Sequence, residues 1–379
     1  MSIIEILFWV FAGLFFWTYF GYPVALTALA GLFGKKVKKR EHDPYVSLIV
    51  TAYNEEKGIR KKLDNSRAID YPDGRFEVLI VSDGSTDKTE EIVTEFEDDV
   101  IQLIALPERM GKHFGQRKGI ERAKGEILIL TDATTYLEPD AVRRIVEYFG
   151  DPSIGCVSGN DSVRTDDPDL PGEGFYVQYE MKLRELESRV GSLVGVSGCF
   201  FAIRKDVCTD WIDNMSSDFY LPIMTKIKGF RTVLAKEAIG YYELLHDPQR
   251  EFIRKVRTVV HGLEVFFKFK RVLNVFKYGS FSIQIMTHKL SRWLVPLYMF
   301  AMFVLNLILL GNSVFYALLF MLQCLLYGSA FIALVFRDLQ KWRVFRIPLF
   351  FVMVNLSIIV AWYDYLIGKE FVLWEPTRR

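Results

Sequence analysis

The chain lacks charge imbalance, a cysteine framework and internal repeats. Lys and Arg together number 47 against 46 Asp and Glu, so the formal net charge is +1. A balance this even excludes a global electrostatic attraction to nucleic acid. Only four cysteines occur, at 156, 199, 208 and 324. None falls into metal-ligand spacing, and Cys199 and Cys208 are too far apart for a Cys-x-x-Cys pair. The expectation is reduced thiols in a cytosolic domain. No low-complexity tract interrupts the sequence.

Charge is missing altogether from two long stretches. None lies between Ile6 and Gly34. That run is too long for a secretory leader and has no small-residue cleavage site after it. It ends in Lys35-Lys36-Val37-Lys38-Lys39-Arg40, a cytoplasmic flank by the positive-inside rule. The second stretch runs from Trp293 to Phe336. One span takes roughly 20 residues, so two fit, turning at Gly311-Asn312-Ser313. Arg337–Arg343 then reads as cytoplasmic and Ile347–Tyr363 as a fourth span. Parity puts the C-terminus outside, whereas Lys369, Arg378 and Arg379 speak for a re-entrant or interfacial last segment. Residues 271–292 mix Phe, Ile and Leu with Lys and Arg, as a helix lying in the membrane interface does. The expected organisation is a first span with its basic flank over 1–40, a cytoplasmic domain over 41–270, the interfacial helix over 271–292 and a membrane region over 293–379.

The cytoplasmic domain alternates strand and helix signals. Val46–Tyr53 is a continuous apolar run, as a strand buried on both faces is. Phe76–Val81, Val100–Ala105 and Glu126–Thr131 follow the same rule. Between them lie charged helical segments, Glu56–Ala68, Asp87–Phe96 and Lys112–Ala123, and then Asp140–Phe149. This rhythm predicts a parallel α/β sheet with helices on both faces. Past a strand at Ile154–Ser162, Arg164–Gly174 reads as a loop and Phe175–Val190 as a long helix. Gly191–Arg204 reads as a strand close to a ligand. Three strands stop abruptly in polar residues: Tyr53-Asn54-Glu55, Asp83-Gly84-Ser85 and Asp132. In an open parallel sheet ligands bind at such strand ends. A carboxylate at 132 suits a hard divalent cation held against a diphosphate.

The ordered motifs Thr51-Ala52-Tyr53-Asn54-Glu55, Ser82-Asp83-Gly84-Ser85-Thr86-Asp87, Met110-Gly111-Lys112 and Thr131-Asp132-Ala133 resemble those of family 2 glycosyltransferases. Ser217-Asp218-Phe219, Lys228-Gly229-Phe230-Arg231 and Arg254-Lys255-Val256-Arg257 extend the resemblance. Gly21-Tyr22-Pro23 and His288-Lys289-Leu290-Ser291-Arg292-Trp293 are similar to the membrane-embedded branch, the hyaluronan, cellulose and poly-N-acetylglucosamine synthases. The resemblance implies a GT-A fold and inverting sugar transfer from a nucleotide-diphosphate sugar.

It also implies roles. Thr51 and Ala52 would line the nucleotide site, Tyr53 stack on the base and Glu55 accept from the ribose. Asp83 would read a uracil. Lys112 would neutralise a phosphate, and Ala133 would line the nucleotide-sugar site. Asp132 would bind Mg²⁺ or Mn²⁺, a Lewis acid for the leaving diphosphate. Asp218 would be the general base that deprotonates the acceptor hydroxyl, with Asp210 and Asp213 as nearby rivals. Arg254 and Arg257, three apart on one helix face, would clamp the diphosphate. Three positions depart from the pattern. Thr134 stands where many relatives have a second Asp, and Ser217 where an acidic residue is usual. Arg254 and Thr258 stand where processive relatives have the Gln and Trp of Gln-x-x-Arg-Trp.

These features point to transfer of a sugar, from a UDP-sugar by family preference, to a lipid-linked or growing polysaccharide acceptor at an inner membrane. A homo-oligomer or export partner would complete a channel, and no nucleic acid is involved. Alternatives are a processive synthase, a nucleotidyl- or phosphoglycosyltransferase, and a non-catalytic scaffold or export subunit.

Overall fold

The computed structural model describes residues 1–164, 171–243 and 248–371. The chain enters through α1 (Ile3–Phe16), a π-helical turn (Trp17–Gly21) and α2 (Tyr22–Phe33), continuous over 31 residues. The α/β domain follows as β1 (Val46–Ala52), α3 (Ile59–Arg67), β2 (Phe76–Ser82), α4 (Thr89–Thr94), β3 (Ile101–Ala105), α5 (Lys112–Arg122), β4 (Ile127–Asp132), β5 (Tyr136–Leu137), α6 (Ala141–Val146), β6 (Ile154–Arg164), α7 (Pro171–Val190), β7 (Phe200–Arg204), α8 (Ser217–Ile227), β8 (Arg231–Glu243) and α9 (Pro248–Lys268). Short α10 (Val275–Tyr278) and α11 (Ser280–Ile285) lead through a second π-helical turn (Met286–Leu290) into α12 (Ser291–Leu309), then α13 (Val314–Val335) and α14 (Arg343–Leu366).

The sheet has eight strands in the order β3-β2-β1-β4-β7-β6-β8-β5. β3, β2, β1 and β4 are parallel, as the alternating pattern requires. Beyond β4 the expectation of an all-parallel sheet gives way. β7 is antiparallel to β4 and β6, and β5 is antiparallel to β8. The cause is connectivity: β7 is reached from α7 through the loop 191–199, not through a strand–helix crossover, and so enters from the opposite end. Gly191–Cys199, expected in a strand, is that loop. The helix α7 begins at Pro171, ahead of the expected Phe175, and residues 165–170 of the expected loop lie outside the described residues, as do Arg378 and Arg379.

Val46–Ala52 is buried at every position, so the apolar run does face two layers. On one side lie Ile59 and Leu63 of α3 and the apolar face of α6. On the other lie Ile120 of α5, Leu221 and Ile223 of α8, Leu263 and Phe266 of α9, and Phe281, Ile285 and Trp293. The stretch 271–292 thus packs Val272, Tyr278, Phe281 and Ile285 on the α/β domain, and from Ser280 it runs without a break into α12. Four helices are long and apolar enough to cross a membrane: Ile3–Phe33, Ser280–Leu309, Val314–Val335 and Arg343–Leu366. Phe8 of α1 meets Tyr316 at the start of α13, ring centroids 5.7 Å apart. This places the chain start and the 310–313 turn together, at the end away from the sheet. The helix α14 lies along α9, with Ala361 against Val256 and Val260 and Tyr365 stacked on Phe267.

Candidate active site

The C-terminal ends of β1, β2 and β4 lie side by side, Thr51 level with Asp132 and Ala52 level with Ser82. Thr51, Ala52 and Ala133 are buried and form the floor. Tyr53 sits at the rim, its ring face covered by the Arg109 guanidinium 3.9 Å from the centroid. Glu55 follows, anchored through its main-chain N–H to Thr89 Oγ1 at 2.8 Å.

Asp83 is 2% exposed and points its carboxylate inward. Oδ1 accepts from the N–H of Met110 at 2.8 Å, and Oδ2 from that of Gly111 at 2.9 Å. These bonds shape the turn that precedes α5. Gly84 (φ +65°) and Gly111 (φ +96°) adopt conformations closed to most side chains, and a Cβ at Gly84 would stand 2.6 Å from Arg109 N. Asp83 thereby braces Arg109, a residue the sequence motifs did not single out. Arg109 Nε and Nη2 are buried without a hydrogen-bond partner. A guanidinium held in this way beside Tyr53 suits a nucleotide that stacks there and supplies acceptors.

At the first turn of α5, Lys112 Nζ pairs with Asp132 Oδ1 and reaches Gly198 O at 3.2 Å. Burial works against the ammonium, but Asp132 outweighs it and the Lys112 pKa is raised. Beneath Asp132 lies Lys62, fully buried, donating to the Thr135 carbonyl. Burial lowers its pKa to about 7. Although Lys62 belongs to the charged helical segment 56–68, its side chain turns into the domain.

The second half of the site comes from later in the chain. Asp218 lies in the first turn of α8, with Oδ1 accepting from Ser216 Oγ. Its Oδ2 lies 3.2 Å from where a Gly198 Cβ would be, so the loop stays close to the carboxylate because Gly198 has no side chain. The rivals are engaged elsewhere: Asp213 pairs with Arg117 at 3.2 Å and Asp210 with Lys228 at 3.5 Å. A third carboxylate, Asp161 at the end of β6, takes a hydrogen bond from Ser197 Oγ and faces Arg184 at 3.7 Å. Burial raises its pKa against the pull of Arg184. Asp161 belongs to no motif and came into view only through its partners. His113, next to Lys112, stacks edge-on to His261 of α9, and burial with Lys112 lowers its pKa to about 4. Burial and Asp132 push the Cys199 thiol up to about 12, which excludes a thiolate nucleophile. All four cysteines are free.

Arg254 is held by Glu251 through two bonds of 2.7 Å, and its charge reaches Cys199 beside Asp132. Arg257 is one turn further along α9. For a divalent cation, the donor set on the protein side is one carboxylate. Among the described residues no three His, Cys, Asp or Glu side chains converge. Asp132 Oδ1 pairs with Lys112, and the carboxylate would hold a cation together with oxygens from a diphosphate and water. That fits Mg²⁺ and Mn²⁺, which commonly bind through one or two carboxylates plus substrate phosphates.

Residues 47–211 match the family model described as Glycosyl transferase family 2. The chain carries a family 2 glycosyltransferase domain. Among curated proteins, a poly-beta-1,6-N-acetyl-D-glucosamine synthase of Staphylococcus epidermidis is 28% identical over 179 residues, 45% of this chain and 43% of that protein. The enzyme of the same name from Staphylococcus aureus is 27% identical over 195 residues, 49% of this chain and 47% of that protein. The chain thus spans about half the length of these relatives. Among solved structures, a mannosyltransferase from Pyrobaculum calidifontis in complex with GDP-Man and Mn²⁺ superposes with a TM-score of 0.76 at 20% identity. That match covers 97% of this chain and all of the other. The glycosyltransferase domain therefore has the GT-A fold, and the likeness extends through the four apolar helices.

Proposed function

We propose that the protein is an inverting membrane glycosyltransferase that moves a sugar from a nucleotide-diphosphate sugar, a UDP-sugar in the first instance, to a lipid-linked or growing glycan acceptor in cell-envelope polysaccharide synthesis. The observation that supports this reading is that Asp132 and Asp218 meet the same Gly195–Cys199 loop: the Asp132 N–H donates to the Cys199 carbonyl at 3.3 Å, the Val196 N–H donates to the Asp218 carbonyl at 2.8 Å, and Asp218 Oδ2 lies against Gly198. Lys112 is electrostatically coupled to both.

Tyr53 and Arg109 would hold the nucleotide, with Asp83 acting through the turn it braces. Glu55 would meet the ribose. Asp132 would hold Mg²⁺ or Mn²⁺, which when bound supplies Lewis-acid stabilisation of the leaving diphosphate. Lys112, Arg254 and Arg257 would carry the remaining phosphate charge. The Asp218 carboxylate would take the proton from the acceptor hydroxyl as its oxygen attacks the anomeric carbon. Attack from the face opposite the diphosphate inverts the configuration. Asp161 and Ser197 would keep the loop seated between donor and acceptor.

The side of the membrane follows from charge. The catalytic domain shares an end of the spans with the basic segments 35–40 and 337–343, which supports a cytoplasmic active site. The names of the curated relatives favour polymerisation as a second reading, while Arg254 and Thr258 at the signature positions favour a single addition. A homo-oligomer or export partner would serve only the polymerising case.

The test is release of nucleoside diphosphate by the protein in lipid. UDP- and GDP-sugars would be supplied with Mg²⁺ or Mn²⁺ and membrane lipid extract, with Asp218→Asn in parallel. Lipid-dependent turnover of one donor, lost in the variant, is expected, and product size separates one addition from many. Turnover retained in Asp218→Asn would remove the base from the scheme. Absence of turnover with every donor would favour the scaffold reading.

A further inference from the structure

Behind Asp218 the domain meets the membrane helices through a cluster of ion pairs. His288, on the π-helical turn that precedes α12, bridges two carboxylates of α7: Nδ1 lies 2.7 Å from Glu187 and Nε2 3.2 Å from Glu180. Tyr22 of α2 donates to the same Glu187 oxygen at 2.6 Å. Arg292 pairs with Glu180. Burial pushes the Glu180 carboxyl up, but Arg292, His288 and Lys289 together outweigh it and hold it well below the usual range. Arg184 answers Asp161 at 3.7 Å.

Each of these cations has its carboxylate. Lys289 does not. It follows His288 on the same turn, is half-buried, and makes no hydrogen bond or ion pair among the described residues. Its ammonium stands over the Phe219 ring, 5.3 Å from the centroid. Its ammonium and the Asp218 main-chain oxygen both lie within 3.7 Å of the Cβ position at Gly195, so no side chain separates them there. The charges about it are Glu180 and Asp218, which attract it, and Arg184 and Arg292, which repel it. Lys112 pairs with Asp132 and reaches the Gly198 carbonyl at 3.2 Å, Asp218 Oδ2 lies against Gly198, and Lys289 Nζ lies against Gly195 at the start of the same loop. The order is therefore Asp132 with Lys112, then Asp218, then Lys289. The donor phosphates fall to the first group, and the cation beyond the base faces what comes from the bilayer. A half-buried ammonium without a partner is unfavourable unless a ligand supplies the anion.

We propose that Lys289 binds the phosphate of a lipid acceptor, delivered from the membrane, and so positions the acceptor hydroxyl against Asp218. This rests on the glycosyltransferase reading and names its acceptor class, a phosphate-bearing lipid. The π-helical turn gives the geometry its cause: the extra residue in that turn lets His288 and Lys289 both face the domain while α12 continues upwards.

The test measures direct binding of farnesyl phosphate to the full-length protein in nanodiscs of uncharged lipid, with farnesol and inorganic phosphate as comparison ligands. Farnesyl phosphate is expected to bind more tightly than either. Lys289→Met is expected to weaken it at least about 10-fold, the scale of one lost charge-assisted bond. Lys289→Arg should retain it within about 3-fold, and Lys236→Met, a surface lysine paired with Glu185, should not change it. Equal binding by a folded Lys289→Met, farnesol binding as tightly as its phosphate, or inorganic phosphate binding as tightly would each overturn the proposal. If Lys289→Met does not fold, Lys289→Gln and the farnesol comparison in the wild type decide instead. Donor turnover without farnesyl phosphate binding would overturn the acceptor assignment and leave the transferase reading standing. Lys289-dependent binding without turnover of any donor would remove the transferase reading, and the acceptor assignment with it.

Discussion

The two halves of the site are built by different rules. The half proposed to hold the donor, around Tyr53, Asp83, Lys112 and Asp132, comes from three adjacent parallel strands and the turns that follow them. Its side chains stand at strand ends and at the turns that follow them: Asp83 directly follows β2 and Lys112 opens α5, with partners 28 and 20 residues away. The acceptor half, around Asp161, Asp218 and Lys289, comes from β6, α8 and a membrane helix. It is held by the loop 191–199 and by contacts between residues far apart in sequence. In the proposed scheme the first half offers one carboxylate to a cation, and the second offers a carboxylate to the acceptor hydroxyl and an ammonium to the acceptor phosphate. The contrast suggests a donor site that any strand-end sheet of this kind can form, joined to an acceptor site that needs the membrane helices in place.

The largest expected effect lies in the acceptor half. Asp218→Asn should lower turnover by about 10²–10⁴-fold, the usual contribution of a general base. Donor affinity, measured by titration with unhydrolysable donor, should stay within about 3-fold. A donor affinity that falls in step with turnover would move Asp218 into the donor half and erase the contrast.

Next comes Lys112→Met. Removing a charge from a buried pair leaves Asp132 uncompensated, and the phosphates lose one charge-assisted bond, so kcat/KM should fall about 10–100-fold. The same variant should shift the Mn²⁺ dependence, because Asp132 Oδ1 is then free for the cation. Activity insensitive to chelation in both proteins would remove the cation from Asp132. A smaller effect is expected at Arg109. Arg109→Ala should raise the donor KM about 5–30-fold through loss of the guanidinium over Tyr53, with kcat nearly unchanged. A fall in kcat without a change in KM would mean that the arginine acts on the reacting centre instead.

What the sequence made legible divides along the same line. The four parallel strands stood out as apolar runs, and three of them could be tied to a site because an apolar run stopping in Asp or Asn is a local pattern. The antiparallel entry of β7 was not legible, since nothing in Phe200–Arg204 records the direction from which the chain arrives. Asp218 could be named from its motif. Asp161 could not, because its role depends on Ser197 and Arg184, 36 and 23 residues away. Arg109 lies immediately before a motif that was read, and its signal was the basic residue itself ahead of Met110-Gly111-Lys112. The apolar stretches gave four candidate spans, and residues 271–292 proved to be packed against the domain because Phe281 and Ile285 meet Phe219 and Leu193 in one core.

Lys62 gives the smallest effect and the sharpest probe of how the donor half is supported. Its helix reads as a charged surface element, yet its side chain is fully buried under the turn after Asp132, donating to the Thr135 carbonyl. In the unfolded chain a lysine keeps its proton to about pH 10.4. In the folded protein burial lowers that to about 7. Between these values the unfolded state binds more protons, so stability rises as pH increases from 7 towards 10. Below pH 7 both states are protonated and this contribution is constant. Thermal unfolding of the wild type across pH 7–10 should therefore show a rising component that is absent from Lys62→Met. The variant also leaves the Thr135 carbonyl without its donor, so the turn carrying Asp132 should loosen and turnover should fall by only a few-fold. A Lys62→Met protein with the wild-type pH dependence would mean that the ammonium reaches solvent, and that the donor half is held up by the strand ends alone.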